Sequence, residues 1–175
     1  KTRNLSGIKV SENTVVLVKS CDIIILAVKP QDIASVLKEI KGYVQGKLII
    51  SIAAGKQTAY IEKILGNVRV IRAMPNICAM IGKAESCICK GKNATEEDFI
   101  LARKLFDYVG KTWQMDEHMI DAATAICGSG PAYIYYDLEK QNLDPKNLPE
   151  AVKQKYIEQF IIQISKKKYI LLNIT

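Results

Sequence analysis

Few side chains in this sequence stand where bonds could be made or broken. His118 is the sole histidine, with Glu117 beside it and Asp121 one helical turn on. On a helix His118 and Asp121 share a face, and an ion pair between them is the plain reading. Neither a Gly-x-Ser-x-Gly elbow nor a phosphate-loop lysine motif occurs, so no activated serine or P-loop is in view. Cys21, Cys78, Cys87, Cys89 and Cys127 lie in apolar, strand-like or helical surroundings. They read as buried, reduced thiols of a cytoplasmic protein. Cys87 and Cys89 alternate onto one face of a strand, no histidine nearby completes a zinc-type set, and no metal is expected.

The positions able to hold a ligand are instead rich in small residues. Three apolar runs end in Ala27-Val28-Lys29-Pro30, Ile52-Ala53-Ala54-Gly55 and Met74-Pro75-Asn76. In an open parallel sheet, ligands sit beyond the carboxyl ends of the strands. Small residues there let a flat ring or a pyrophosphate approach the backbone, although small residues also simply end strands. Lys29 is a cation at this rim, either holding a phosphate or substrate or standing solvated on its packed stem. A further stretch, Asp121–Tyr133 (DAATAICGSGPAY), is a tight corner. Gly128 and Gly130 leave the backbone free to adopt positive φ, and Pro131 is suited to open a new helix. Close helix packing is the bland reading of such a corner; an anion-binding helix start is the functional one.

The elements that must position these residues follow from periodicity. Gly7–Val10 is a short strand candidate, Glu12–Asn13 a turn and Val15–Val18 a brief helix. Ile23–Val28 is apolar at every position, the mark of a strand covered on both faces of a parallel sheet. A helix over Gln31–Lys41 follows, with Ile33, Val36, Leu37 and Ile40 on one face. Leu48–Ile52 and Val68–Ala73 repeat the strand. Between them, a helix capped by Thr58 turns Ile61, Ile64 and Leu65 inward. Strand–helix–strand–helix–strand at this spacing predicts parallel βαβ units. Ser86–Cys89 and Thr112–Met115 are further strands. The helix between them is capped by Thr95, has Glu96, Glu97 and Asp98 on its first turn, and carries a stripe of Phe99, Ala102, Leu105, Phe106 and Val109. Asp116 opens the helix leading to the corner. Pro131–Gln141 reads as helix, Asn142–Pro149 as loop, and Pro149 opens a last helix.

The 175 residues suffice for one domain with a real core and part of another. Composition is that of a globular protein, 49% hydrophobic and 25% charged. No apolar run approaches the ~20 residues of a membrane span, and polar Lys1–Lys9 is no secretory signal. Of the net charge of +7, four units fall in the last 36 residues. With no aromatic–basic platform, a solvated lysine face is expected there rather than a nucleic-acid surface.

Four segments in register, Ala27–Pro30, Ser51–Gly55, Val70–Asn76 (VIRAMPN) and Asp121–Tyr133, resemble the pyrroline-5-carboxylate reductases over roughly residues 7–136. The resemblance implies an α/β fold: a Rossmann-like parallel sheet over 1–115, followed by the start of an α-helical dimerisation domain over 116–175. It implies reduction of 1-pyrroline-5-carboxylate to L-proline with NADP or NAD as cofactor, in proline biosynthesis, by a protein that is a homo-oligomer when complete. Hydride transfer needs no protein nucleophile, which suits the absence of a triad. Carried over by position, Asn13, Ala27, Val28, Lys29, Pro30, Ile52, Ala53, Ala54, Met74, Pro75 and Asn76 would line the cofactor, while no catalytic residue is assigned. The family's glycine-rich first turn and a Ser-Pro-Gly-Gly-type substrate segment have no counterpart in these 175 residues. The expectation is therefore an N-terminally truncated, partial or inactive reductase. The alternatives are a dead fragment that pairs with a complete subunit, or another βαβ dehydrogenase. In the strand order of this fold, Ile23–Val28 would be an edge to be covered by Gly7–Val10 or by another chain.

Overall fold

The computed structural model describes residues 11–131 together with Tyr136, Leu138 and Lys140. The expected strand at Gly7–Val10, the Asn142–Pro149 loop and the last helix lie outside the described residues, as does most of Pro131–Gln141.

The repeated strand–helix pattern folds as its periodicity requires. β1 (Ile23–Leu26), β2 (Leu48–Ser51) and β3 (Arg69–Met74) are parallel neighbours. They are joined by α2 (Ile33–Ile40) and α3 (Thr58–Leu65), and α1 (Thr14–Lys19) precedes them. The remainder corrects the expectation of a parallel sheet. β4 (Ala84–Lys90) is antiparallel to β3, and β5 (Gly110–Gln114) is parallel to β4, so the five-stranded sheet is mixed. Only Pro75 to Lys83, wound into a 3₁₀ turn at Ile77–Ile81, separates β3 from β4. That is too short for the dozen or more residues of a parallel crossover. The chain therefore doubles back, and α4 (Glu96–Asp107) makes the crossover between β4 and β5 instead.

Side-chain alternation divides the core. On one face Leu26, Ile49 and Val70 pack beneath Ile33, Leu37, Ile40, Ile61 and Leu65 of α2 and α3. On the other, Ile50, Ile71, Ala73 and Ile88 meet Phe99, Ala102 and Phe106 of α4. Thr95 and Asp98 close a reciprocal capping box at the start of α4, as its sequence predicts. Leu105, placed on the inner stripe by periodicity, stands exposed.

Ile25 is 51% exposed, because α4 covers the centre of its sheet face and β1 lies at the margin. Among the described residues β1 pairs only with β2. The sheet continues into α5 (Glu117–Ala123), whose Ile120 is buried on Cys87 and Cys89 of β4. α5 thus lies on the same face of the sheet as α2 and α3.

Candidate active site at the carboxyl rim

The three loops expected to line a ligand share one rim. Ala27–Pro30 leaves β1 and Ile52–Ala54 leaves β2, and the Ile52 amide donates to the Leu26 carbonyl at 3.2 Å, holding the two loops side by side. Met74 ends β3, with Pro75 and Asn76 beyond it. Neighbouring strands lie about 4.8 Å apart, so the loops fall within ~10 Å of one another across the sheet. Ala53 is buried, and its amide donates to the Ser51 hydroxyl at 3.3 Å. Ala27 and Lys29 are exposed. Asn13 is engaged elsewhere: its side chain caps α1, Oδ1 accepting from the Val16 amide at 3.0 Å.

Asn76 is also committed. Its Nδ2 donates to the Cys127 carbonyl at 3.1 Å, and its Oδ1 accepts from the Glu85 amide at 3.4 Å. The side chain latches the end of β3 to the start of β4 and to the corner after α5. The corner differs from its expected form. Neither Gly128 nor Gly130 has positive φ; instead the helix widens into a π-turn over Thr124–Gly128 and resumes at Gly130 and Pro131. The Ser129 amide reaches back to the Thr124 carbonyl at 3.3 Å, the five-residue span of such a turn. A Cβ on Gly128 would meet Thr124 Cγ2 at 3.4 Å and Met74 Cε at 3.8 Å, ordinary contact distances, so the corner sits against the end of β3 without requiring glycine there.

Beneath the rim lies a group that periodicity did not single out. Arg72, in the middle of an apolar strand, is 1% exposed. A buried guanidinium needs partners, and α5 supplies them. Asp121 accepts from Arg72 Nη2, and Glu117 lies 3.6 Å from Nη1, which has no hydrogen bond of its own. Glu117 is held in turn by α3, accepting from the Thr58 amide at 2.7 Å and the Thr58 hydroxyl at 2.8 Å. Two expectations are corrected here. Asp121 pairs with Arg72 across the fold rather than with His118 beside it. Thr58 is the first residue of α3 rather than its cap, and its hydroxyl serves Glu117. The signal was present in the sequence: a lone arginine inside VIRAM, and two carboxylates four residues apart on one helix face.

The thiols of this region are inert. Burial raises Cys87 and Cys89 to about 12, and Cys127 also lies above the ordinary thiol range because of burial. No group of His, Cys, Asp and Glu suited to a metal ion occurs among the described residues. A cavity of about 340 Å³ between Lys47, Asn67, Arg69 and Asn93 lies at the opposite, amino-terminal end of the strands. It has no part in the rim.

Residues 1–55 match the family described as NADP oxidoreductase, coenzyme F420-dependent. Over 135 residues the chain is 47% identical to pyrroline-5-carboxylate reductase of Methanosarcina acetivorans, covering 76% of this chain and 50% of that protein. Over 116 residues it is 44% identical to the Schizosaccharomyces pombe reductase, covering 65% and 41%. The chain is a relative of the pyrroline-5-carboxylate reductases. It spans about half the length of these curated relatives. The crystal structure of Plasmodium falciparum pyrroline carboxylate reductase with NADP bound superposes with a TM-score of 0.72 at 30% identity, covering 91% of this chain and 63% of that one. Prephenate dehydrogenase of Aquifex aeolicus shares the fold alone, at 12% identity and a TM-score of 0.57. No helix among the described residues is long and apolar enough to cross a membrane.

Proposed function

We propose that this chain is the larger part of the cofactor-binding portion of a pyrroline-5-carboxylate reductase, which reduces 1-pyrroline-5-carboxylate to L-proline. The observation that carries the reading is the 47% identity over 135 residues to a reductase of that name. In this reading residues 1–115 form the dinucleotide-binding domain and 116–175 begin a helical domain through which subunits pair.

The cofactor is NADP or NAD, and the rim suits it. Ala27, Ala53 and Ala54 put no bulk between the backbone and a flat ring, and Ala53 is fixed by the Ser51 hydroxyl. When bound, the nicotinamide supplies the hydride that reduces the C=N bond of the substrate. The chain's own residues bind and orient. Ala27–Pro30 and Ile52–Ala54 line the ribose and ring, Lys29 offers a cation to phosphate or carboxylate, and Met74–Asn76 forms the wall facing the corner. Asn13, capping α1, contributes to the nucleotide end of the site. No side chain is assigned as proton donor.

The test is a spectrophotometric assay of the purified protein carrying this chain. NADPH or NADH oxidation should depend on added 1-pyrroline-5-carboxylate and be absent with prephenate. Protein that binds the cofactor yet shows no imine-dependent turnover, or that prefers another substrate, would overturn the reading.

A further inference from the structure

We infer that Asp121 and Asn76 are positioning residues that set the height of the Thr124–Gly128 corner above the cofactor rim, with buried Arg72 as their anchor. The inference rests on the reductase reading for its activity arm only. Two attachments hold the corner. At the base of α5, Arg72 of β3 bonds Asp121 and faces Glu117, which α3 grips through Thr58. At the far end, Asn76 takes the Cys127 carbonyl at 3.1 Å. Both originate on β3 or the loop that ends it, so one rigid strand carries both the rim and the anchors.

Between these anchors the helix departs from α geometry. The π-turn frees backbone groups from the usual ladder, and such turns recur where a helix is shaped to a site. The Cys127 carbonyl, to which Asn76 Nδ2 donates, lies inside that turn. The turn is therefore maintained by a contact to the rim and not by its own ladder alone. Asp121 is half exposed, so its carboxylate is not needed to fill the core. Its bond to a guanidinium with 1% exposure is directional, fixing the rotation of α5 about its own axis.

The test uses Asp121→Asn, Asp121→Ala and Asn76→Ala in the purified protein. Amide hydrogen exchange at Ala125–Gly128 should rise at least tenfold in Asp121→Ala and Asn76→Ala, with β2 and α3 unchanged. Asp121→Asn, which keeps an acceptor for Arg72, should restore protection to within about threefold. With 1-pyrroline-5-carboxylate, kcat should fall at least tenfold in the two alanine variants, while the NADPH dissociation constant of Asp121→Ala stays within twofold. Unchanged exchange in the corner, or raised exchange with unchanged kcat, would overturn the inference. Should the parent protein show no imine-dependent turnover, the reductase reading fails, and exchange still decides whether these residues hold the corner.

Discussion

Ala54 is half-buried on the loop that leaves β2, beside buried Ala53. A leucine there adds bulk toward the rim without displacing the core. Ala54→Leu should weaken NADPH binding at least tenfold, about 1.4 kcal/mol, with the thermal midpoint unmoved; fluorescence titration checks it, and unaltered affinity would remove Ala54 from the site. The thiols give a second expectation. Cys87 and Cys89 hold their protons up to about 12 in the folded chain, whereas the unfolded thiols ionise near 9.0. Between those values the folded state binds more protons, so stability is fully present below about pH 9 and is lost as pH rises toward 12. The urea midpoint should therefore be lower at pH 10.5 than at pH 8, and Cys87→Ala with Cys89→Ala should flatten that difference. At this scale the sequence was partly legible. The small residues of the three strand ends announced themselves, and the structure places them on one rim. Arg72 did not, because a charge inside an apolar run has meaning only once its distant partners on α5 are known.

Among the elements, strands β1 to β3 and their helices were legible because fully apolar runs and 3.6-residue stripes record local burial. The reversal at β4 was not. Direction depends on the length and path of Pro75–Lys83, and alternation along β4 reads the same either way. The glycines of the corner were misjudged for a similar reason: they permit positive φ, but the packing of Met74 and the Asn76 bond favour a widened helix that needs none. Gly110 is where glycine is indispensable. It has φ +156°, and a Cβ there would fall 2.0 Å from the Ala84 carbonyl oxygen, where β4 and β5 begin side by side. Neither backbone can retreat without breaking the pairing of the two strands. Gly110→Ala should cost at least about 3 kcal/mol, measured by chemical denaturation, by strain and lost pairing together; a loss below 1 kcal/mol would show that the β5 start is more yielding than its geometry implies.

For the whole molecule, the reversed pair β4–β5 decides where α5 attaches. β4 starts at the carboxyl rim and runs away from it, and β5 follows in the same sense. α5 can then climb back along β4 from Cys89 toward Cys87, beside Met74 of β3, and deliver its corner at the rim. A wholly parallel sheet would have released the chain at the rim and sent α5 away from it. The strand order β1-β2-β3-β4-β5 also bears on synthesis. Each described strand after β1 pairs with the one made just before it, so no place between the described strands must be kept vacant for a later segment. Such a sheet can assemble as the ribosome delivers it, and amino-terminal elements generally settle first. Nascent chains stalled once Lys90 has cleared the exit tunnel should therefore already protect β1 to β3 from limited proteolysis, before α4 has emerged.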